Sequence, residues 1–475
     1  MQRRTKIVAT IGPASSSPDV LTDMIRAGMD VARVSLAHTP RAEALELHAR
    51  VREVADRLGA NVATMIDLPG PLIRIGRPAA SGVELVPNET ITLLPGTAAT
   101  TAGTVYVGYE WLLDEVRVGD RLNIGEAPLV EVTEVAADRL IARVLVGGRL
   151  TGRAAMRLPR QHQALPIMTA IERDELAEFV AAGVDIVALS ARTGADLDGL
   201  GLTPIPTGPM VFAKVESMEA VGNLASLVEH ADGIIIGRGG LGLECPLEDL
   251  PHLQKRLTED CIASGLPVVT SSQVLDSMID ASIPTRAETT DISNAVFDGT
   301  SGLMLSSETA VGAHPALVVA TMARIAGRAD EQFDHRNWSG RVAAMRMVGL
   351  DDSDTAVTDA ITIGAARAVD ELGLRTLLGI SATGFTVRSM ARFRPRAQIL
   401  GVSKNPSTVR QLAASWGVTP LLYDTASMDY EGKVTDAIER AREAGLVEPG
   451  ELVGVVAGIA TADHATDTFR FVRVP

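Results

Sequence analysis

A lysine and a glutamate two residues apart, Lys214 and Glu216, are the sharpest candidates for chemistry in this sequence. An ammonium group beside a carboxylate can hold an anion and a divalent cation next to each other. The ammonium offsets the charge of a transferred group or an enolate, and the carboxylate binds Mg²⁺. The same pair is equally consistent with an ordinary ion pair at the rim of a domain. The elements around the pair must decide between these interpretations.

Polar residues recur directly after most of the apolar runs in the first 335 residues of the sequence. The set comprises Arg33, His38, Asp67, Arg74, Lys214, Glu216, Arg238, Ser271, Ser272, Gln273, Ser306, Ser307 and Glu308. One charged residue in such a place is more often a salt-bridged rim residue. Because so many separate runs end in polar residues, the pattern favours one shared site.

The elements that must position these residues alternate short apolar runs with helical patterns. Strands are predicted at Lys6–Ile11, Val31–Ser35, Ala63–Leu68, Asp185–Leu189, Val211–Lys214, Gly233–Gly237, Val268–Ser271 and Gly302–Leu305. Apolar runs of this length suit strands buried on both faces of a parallel sheet. Eight strand–helix units predict an α/β fold of the closed (β/α)8 TIM barrel type, in which chemistry lies on the loops after the strands.

Two further regions interrupt and follow this barrel. Period-2 alternation between Gly76 and Pro159 predicts an inserted all-β lid domain after the third strand, and renewed alternation of helices and strands predicts a C-terminal α/β domain. We therefore expect a barrel over 1–75 and 160–335, a β-rich lid over 76–159, a linker over 336–353 and a C-terminal domain over 354–475.

Composition narrows the function classes. The formal net charge of −15 repels polyanions, so nucleic acid is excluded as an expected partner. No apolar run reaches the length of a membrane span. Two cysteines, Cys245 and Cys261, suggest a reducing, cytoplasmic environment without disulfides, and both are expected to be buried small hydrophobic residues.

Several segments, in order along essentially the whole chain, resemble the pyruvate kinase family. They are Arg4–Ser15 (RTKIVATIGPAS), Ala27–His38 (AGMDVARVSLAH), Ile66–Gly76 (IDLPGPLIRIG), Ala213–Glu216, Asp232–Glu244 (DGIIIGRGGLGLE), Ser272–Met278 (SQVLDSM), Pro284–Glu288 (PTRAE), Asn294–Gly299 (NAVFDG) and Met304–Ala310 (MLSSETA). The resemblance implies phosphoryl transfer from phosphoenolpyruvate to ADP in glycolysis, giving pyruvate and ATP, with Mg²⁺ and usually K⁺. It also implies a homo-oligomer, usually a tetramer, that binds a small carboxylate- and phosphate-bearing substrate.

The resemblance implies roles for single residues as well. Arg33 would grip phosphate, Lys214 would stabilise the moving phosphoryl group and the enolate, and Ser272 stands where the family usually has a threonine near the enolate carbon. The backbone N–H of Gly239, at a helix start, would bind the substrate carboxylate. Metal ligands would be Glu216 for Mg²⁺, and Asp67 with Ser35 for K⁺.

Two more groups of residues are implied away from the phosphoenolpyruvate half of the site. Arg74 and His38 would lie on the nucleotide side, although His38 is as readily a structural hydrogen-bonding histidine. The C-terminal domain would carry an effector loop for a phospho-sugar through Ser381, Thr383, Gly384 and Thr386. The alternative for this loop is an ordinary N-capped helix start.

Departures from the family pattern fall on the metal and nucleotide ligands. Gly240 replaces the second Mg²⁺ carboxylate and Ala37 replaces a K⁺ ligand. Pro69 and Ala154 each replace a lysine, and the lid run Gly125-Glu126-Ala127 replaces Asp-Asp-Gly; Arg153 or Arg157 could restore part of the lost charge. Because phosphoryl transfer depends on cations that neutralise spread negative charge, we expect substrate binding to survive and phosphorylation of ADP to be weakened, altered or lost.

Three hypotheses remain open from the sequence. A working kinase with substitute ligands would form pyruvate only with ADP. An enzyme that reuses the enolpyruvate half-site for a lyase, aldolase-like or hydrolytic step would not need ADP. A non-catalytic metabolite sensor would bind such anions without turning them over.

Overall fold

The computed structural model describes residues 3–70, 73–79, 81–125, 128–152, 154–158, 166–346, 354–424, 429–458 and 466–475. The chain begins with two strand–helix units and a third strand. These are β1 (Lys6–Thr10), α1 (Pro18–Ala27), β2 (Val31–Ser35), α2 (Arg41–Leu58) and β3 (Ala63–Leu68). The Ser17 side chain caps α1 by accepting a hydrogen bond from the Val20 amide, 3.3 Å away, and Gly28 ends it at a φ of 114°.

A β-rich insertion follows β3. Its elements are β4 (Val83–Leu85), β5 (Thr90–Pro95), β6 (Thr104–Val107), α3 (Leu112–Glu115), β7 (Arg121–Ile124), β8 (Leu129–Val135), β9 (Leu140–Val146), β10 (Gly148–Leu150) and β11 (Met156–Arg157). Six strands form one sheet in the order β11-β7-β8-β9-β5-β6, and β10 pairs with β4. Alternate residues such as Ile91, Leu93, Val130 and Val132 are buried inside it. The predicted β-rich lid is confirmed, with one short helix added.

The remaining barrel units return after the lid. They are α4 (Ala170–Ala181), β12 (Ile186–Ser190), α5 (Gly194–Asp198), β13 (Met210–Val215), α6 (Met218–Gly222), α7 (Leu224–His230), β14 (Gly233–Gly237), α8 (Arg238–Glu244), α9 (Leu250–Ala263), β15 (Val268–Ser271), α10 (Arg286–Phe297), β16 (Gly302–Leu305), α11 (Ser307–Ala310) and α12 (Pro315–Glu331). All eight strands are parallel and close in the order β1-β16-β15-β14-β13-β12-β3-β2. The predicted (β/α)8 barrel is confirmed.

Buried apolar side chains cover both faces of the barrel strands. Val8, Ala63, Met65 and Phe212 belong to the cluster on one face, and a larger cluster packs the other face against the helices. Polar side chains with chemistry therefore gather at the carboxyl ends of the strands, at the barrel mouth. Strand register aligns two pairs there, Ser35 with Asp67 and Ser190 with Lys214.

A helix occupies much of the region expected to be a linker. Helix α13 (His335–Arg346) covers residues 336–346 of it, and Trp338 and Val342 are buried in the core that surrounds the barrel. The region expected to be a linker over 336–353 therefore contains a helix whose Trp338, Val342 and Ala343 are buried while Met345 is exposed, and its role as a linker stays a prediction. The described residues of this region end at Arg346.

The C-terminal part is a second α/β unit. Its elements are α14 (Asp354–Leu372), β17 (Thr376–Ile380), α15 (Phe385–Ala391), β18 (Gln398–Ser403), α16 (Pro406–Gln411), β19 (Val418–Leu422), α17 (Tyr430–Glu443), β20 (Leu452–Ala457) and β21 (Thr468–Arg473). The sheet order is β19-β18-β17-β20-β21, with only β21 antiparallel to its neighbour. It joins the end of the barrel opposite the mouth, where Arg410 Nε lies 2.7 Å from Asp185 Oδ1.

Candidate functional site

Strands β2, β3 and β13 place two cations on one buried carboxylate, with β12 lying between β3 and β13. Asp67, on β3, accepts hydrogen bonds at Oδ2 from Arg33 Nε and Nη2, at 2.8 and 2.6 Å. Its other oxygen, Oδ1, lies 2.8 Å from Lys214 Nζ on β13. Arg33 Nη1 also donates to Thr10 Oγ1 on β1, 2.7 Å away. We call Arg33, Asp67 and Lys214 the cationic cluster, since together they carry one net positive charge.

Mutual pairing keeps the cationic cluster charged. Burial by itself would raise the pKa of Asp67, but the charges of Lys214 and Arg33 outweigh it and hold that pKa below its ordinary value. Burial would likewise lower the pKa of Lys214, but the charges of Asp67 and Glu216 outweigh it and raise that pKa. At neutral pH the lysine is therefore a cation and the aspartate an anion.

Glu216 presents a fixed carboxylate beside the cluster. It follows β13 directly, and its Oε2 accepts a hydrogen bond of 2.7 Å from Ser190 Oγ at the end of β12. The glutamate side chain lies so close to β14 that a Cβ placed on Gly237 would be 2.4 Å from Glu216 Cγ. The absence of a side chain at Gly237 thus makes room for the carboxylate.

The residues at the mouth fit the two implied metals differently. Among the described residues no group of three or more His, Cys, Asp or Glu side chains could hold a metal ion together. Mg²⁺ is commonly bound by one or two carboxylates together with substrate phosphate and water, so Glu216 fits as a single protein ligand. K⁺ at Asp67 does not fit, because both oxygens of Asp67 already face Arg33 or Lys214.

Helix α8 leaves no room for a second carboxylate next to Glu216. A Cβ placed on Gly240 would lie 2.4 Å from the Glu216 carbonyl oxygen and 2.9 Å from Glu216 Cβ, where real Cβ atoms are essentially never found. The main chain of α8 has therefore closed onto the main chain after β13. The missing ligand is not merely a missing side chain, because restoring it requires the backbone to move.

Gly240→Asp is accordingly expected to destabilise the protein by about 1–3 kcal/mol, as overpacking does, without a gain in pyruvate formation. Thermal unfolding and pyruvate release from phosphoenolpyruvate and ADP measure the two effects. Gly242→Asp, on the same helix, is the matched control, since a Cβ there would meet only Leu247 and Leu250 atoms at 3.7 and 3.8 Å. A more active Gly240→Asp protein of unchanged stability would contradict this account.

The loop after β15 holds Ser272 in a backbone conformation that non-glycine residues adopt rarely. Ser272 and Gln273 have φ values of 78° and 52°. Arg238 braces this turn: its Nη2 donates to the Ser272 carbonyl oxygen at 2.6 Å, and its Nη1 is 2.8 Å from both carboxylate oxygens of Asp291. Arg238 is thus engaged in positioning Ser272, and the strained turn is typical of functional sites.

The lid brings a further cation to the barrel mouth. A Cβ placed on Gly239, at the start of α8, would lie 3.4 Å from Arg157 Nη1 on β11 and 3.6 Å from Ser272 Oγ. Arg157 and Ser272 therefore border a common space over Gly239. Arg157 is exposed on the lid, so an anion in this space can reach it.

The other predicted mouth residues lie at loop positions around the site. The Ser35 carbonyl oxygen accepts hydrogen bonds from the amides of His38 and Thr39, at 3.2 and 3.0 Å, which makes a turn after β2. Arg74 lies at the base of the lid, where it is bridged to Ala155. The roles of Ser35, His38 and Arg74 toward a metal or nucleotide stay predictions. Pro71, Leu72, Glu126, Ala127 and Arg153 lie outside the described residues.

The predicted effector loop has its hydroxyl groups turned inward. Thr386 Oγ1 lies 2.8 Å from Thr466 Oγ1, Thr383 Oγ1 accepts a hydrogen bond of 3.4 Å from the Phe385 amide, and Ser381 is buried. Gly384 precedes α15 with a φ of 81° and makes no side-chain cap. Gly384 is thus the N-cap residue of α15, and both the effector role and the alternative of an ordinary helix start stay predictions.

Sequence reasoning missed three partners of the site residues. Ser190 and Thr10 close strands β12 and β1, so the rule that polar residues at strand ends face the mouth could have found both. Asp291 lies inside α10 and carries no such signal. Glu308, which the rule did select, is buried and accepts hydrogen bonds from the amides of Leu275 and Ser306 at 3.1 and 2.6 Å.

Of the two cysteines, Cys261 is buried as expected and Cys245 is only half-buried.

Comparison with known proteins identifies relatives of this chain. Residues 2–319 match the family model of the pyruvate kinase barrel domain, and residues 359–472 match that of the pyruvate kinase alpha/beta domain. A pyruvate kinase of Geobacillus stearothermophilus is 33% identical over 100% of this chain and 81% of its own length. A pyruvate kinase of Clostridium acetobutylicum is 32% identical, with 99% of both chains covered. The crystal structure of a pyruvate kinase from Cryptosporidium parvum has a TM-score of 0.89 and 29% identity over 100% of this chain and 97% of that chain.

Proposed function

Because this chain belongs to the pyruvate kinase family, we propose that it binds phosphoenolpyruvate or a pyruvate-like anion at the barrel mouth, and that its phosphoryl transfer to ADP is weakened or altered. One observation carries this proposal. The cationic cluster for the anion is complete, while Gly240 offers neither a second metal carboxylate nor room for one.

The cationic cluster suits an anion with a phosphate and a carboxylate. Lys214 Nζ and Arg33 are charged, largely buried and joined through Asp67, so their positions are fixed before the anion arrives. Ser272 Oγ and Arg157 border the neighbouring space over Gly239 and can receive a second anionic group. Preorganised charges of this kind stabilise negative charge strongly because they need not reorganise during the reaction.

The inherited reaction breaks the bond between the phosphorus and the enol oxygen of phosphoenolpyruvate and forms a bond to an ADP oxygen. The released enolate then takes up a proton at its methylene carbon to give pyruvate. Lys214 offsets the charge on the transferred group and on the enolate, and Arg33 holds the phosphoryl oxygens. Glu216 would hold Mg²⁺, which would supply positive charge against the negative charge of the phosphoryl group.

The second part of the proposal, weakened phosphoryl transfer to ADP, rests on the residues expected to bind the nucleotide and the metal. Pro69 and Ala154 stand where the family pattern has lysines, so positive charge near the nucleotide is lost. Gly240 stands where the family has a metal-binding carboxylate, so one metal ligand is lost as well. Loss of one well-placed electrostatic group typically lowers the rate by about 10²–10³-fold. Arg157 restores one positive charge at the mouth but none of the lost metal oxygens.

Two measurements on the purified protein test the proposal. Calorimetric titration with phosphoenolpyruvate, with and without Mg²⁺, should detect binding that Mg²⁺ strengthens. A coupled assay of pyruvate release should detect turnover far below that of the Geobacillus relative measured beside it. Absence of binding together with normal ADP-dependent turnover would contradict both halves of the proposal.

The same assay separates the alternative functions. Pyruvate release that is equally fast without ADP would indicate an enzyme that reuses the half-site for a lyase, aldolase-like or hydrolytic step. Binding without turnover of any related acid would indicate a metabolite sensor. The retained Lys214 and Glu216 favour the enzyme that reuses the half-site, because they keep the charges that would stabilise an enolate.

Potassium is expected to have little effect on this protein. Asp67, the implied K⁺ ligand, already faces two cations, and a third would be repelled. Replacing KCl with tetramethylammonium chloride at constant ionic strength should change phosphoenolpyruvate affinity and pyruvate release by less than about twofold. The Geobacillus relative, assayed in both salts, serves as the reference. A loss of activity that only K⁺ restores would contradict this prediction.

Assembly and cofactors follow the family in this proposal. We infer a homo-oligomer, a tetramer by resemblance, with ADP and ATP as co-substrates. Across the ranges that the structure describes, no helix combines the length and apolarity needed to cross a membrane. A cytoplasmic location stays a prediction from the sequence.

A further inference from the structure

A narrow cavity lies at the other end of the barrel, between the starts of β15 and β16 and the C-terminal unit. Its volume is about 10 Å³, which is about enough for one water molecule. Its walls are formed by Ile262, Gly265, Leu266, Pro267, Ser301, Arg388, Ala391, Arg392, Arg394, Ser415 and Trp416. Nothing in the chemistry at the barrel mouth uses these residues.

Four of the lining side chains carry polar atoms without a hydrogen-bond partner among the described residues. The atoms are Arg388 Nη1, Arg394 Nε and Nη1, Ser415 Oγ and Trp416 Nε1. The exposed fractions of these residues are 9%, 0%, 2% and 2%, so solvent does not satisfy them either. Buried polar groups are almost always partnered, and several orphans around one cavity indicate a missing occupant.

The orphaned atoms are nearly all hydrogen-bond donors. Guanidinium and indole N–H groups donate only, and Ser415 Oγ alone can also accept. A water molecule accepts about two hydrogen bonds and needs acceptors for its own protons, so it would leave most of these donors unsatisfied. An anion accepts from several directions at once and has no proton to place. The donor set therefore favours an anion over water.

The charges around the cavity also favour an anion over water. Arg392 is paired with Asp359, 2.5 Å away, but neither Arg388 nor Arg394 forms an ion pair with any described residue. Burial lowers the pKa of Arg388, against a weaker opposing effect of Asp232, and lowers the pKa of Arg394 to about 9. Both side chains remain cations at neutral pH, and the carboxylates that act on them, Asp232 and Asp330, form no ion pair with either among the described residues.

Aromatic rings compensate part of the charge of Arg394. Its guanidinium carbon lies 4.9, 5.1 and 4.6 Å from the ring centroids of Phe333, Trp338 and Trp416. Such contacts stabilise a cation through the ring faces, but they provide no acceptor for N–H groups in the plane of the guanidinium. The orphaned Nε and Nη1 donors of Arg394 are therefore still available.

We propose that this cavity binds one small monovalent anion, of the size of chloride, through Arg388, Arg394, Ser415 and Trp416. The anion joins the barrel to the C-terminal unit, because Ser301 and Pro267 belong to the first and the four donors to the second. It also reaches the loop before α15, since a Cβ placed on Gly384 would lie 2.7 Å from Arg388 Nη1. Occupancy therefore fixes the guanidinium on which that loop rests.

Halide quenching of tryptophan fluorescence tests the proposal in the full-length protein. Trp111 is 37% exposed, whereas Trp338 and Trp416 are each 2% exposed, so the Trp111→Phe protein retains only the two buried indoles. Iodide, added at constant ionic strength against bulky gluconate, should quench this protein along a saturating curve. Chloride should compete and raise the half-saturating iodide concentration. A linear, purely collisional curve would overturn the proposal.

Variants locate the site within the same Trp111→Phe background. Arg388→Met should raise the half-saturating halide concentration at least about tenfold, as expected when one charge-assisted hydrogen bond is lost. Ser415→Ala should raise it less, and it serves as the readout if Arg388→Met does not fold. Arg375→Met is the control, because Arg375 is an exposed arginine of the same unit. Saturable quenching that survives in both Arg388→Met and Ser415→Ala would overturn the site.

A crystal grown in bromide gives the direct observation. An anomalous peak within hydrogen-bond distance of Arg388 Nη1 and Trp416 Nε1 is the expected result. A cavity that contains only a water molecule, or a phosphate ion in crystals that hold both anions, would overturn the assignment to a halide-sized anion.

Discussion

Lys214→Met is expected to weaken phosphoenolpyruvate binding and any pyruvate release by at least about 10²-fold. The ammonium is largely buried, charged at neutral pH and 2.8 Å from Asp67 Oδ1. Methionine fills a similar volume without charge, and Asp67 keeps its bonds from Arg33, so the barrel retains its packing. What disappears is the positive charge that an anion at the mouth would meet.

Titration calorimetry and the coupled pyruvate assay measure this loss, with thermal unfolding as a check that the protein still folds. Lys255→Met is the matched control: Lys255 also forms an ion pair with an aspartate, Asp298, but its side chain is 59% exposed on α9. That control should leave binding unchanged. Unaltered phosphoenolpyruvate affinity in Lys214→Met would mean that the anion binds elsewhere, and the proposed function would fail with it.

Much of the barrel could be predicted from the sequence because its strands are short and mainly apolar runs. The bounds of β2, β3, β14, β15 and β16 match the predicted bounds residue for residue. A strand buried on both faces is mostly apolar, so its ends are marked by the turn residues that follow, although β2 and β3 contain Arg33, Thr64 and Asp67. The same feature made strand ends a good guide to the site, and Arg33, Asp67 and Lys214 do meet there.

The parts that escaped prediction depend on distances between backbones. The sequence identifies Gly240 as a missing ligand, but only the 2.4 Å approach of its hypothetical Cβ to the Glu216 carbonyl oxygen reveals that the space has closed. The family resemblance implied that Asp67 is a K⁺ ligand, and no local sequence pattern indicates that Arg33 and Lys214 already contact its oxygens. Residue type indicates what a side chain can bind, and tertiary contacts decide what it does bind.

Tertiary contacts that the sequence does not indicate also determine the structure between the barrel and the C-terminal unit. Around Trp338 the sequence is polar enough to resemble a linker, yet the indole Nε1 donates to the Arg392 carbonyl oxygen at 2.8 Å and the ring packs against Arg394. These contacts join residues more than fifty positions apart. With aromatic residues at only 3% of the chain, no compositional signal marks such a cluster.

Asp67→Asn is the substitution expected to cost most stability. Removing one partner of a buried ion pair typically lowers the free energy of unfolding by about 3–5 kcal/mol, because the remaining charges stay buried and uncompensated. Here two cations, Arg33 and Lys214, would face each other across a neutral amide. Urea unfolding at pH 7, followed by far-UV circular dichroism, should detect the loss. Glu131→Gln, which breaks the partly exposed pair with Arg143, should cost only about 0–1 kcal/mol.

The pH dependence of that loss has a definite sign. The folded-state pKa of Asp67 is held below its unfolded value, so its contribution to stability is present above the ordinary aspartate pKa and disappears as pH falls through the lower folded value. The wild type and Asp67→Asn should therefore differ by a constant amount near neutral pH and converge only in acid, below about pH 4. A difference that instead vanished between pH 6 and pH 8 would mean that Asp67 is not paired with Lys214 and Arg33 in solution. The anion-binding cluster would then have to be sought among other side chains at the mouth.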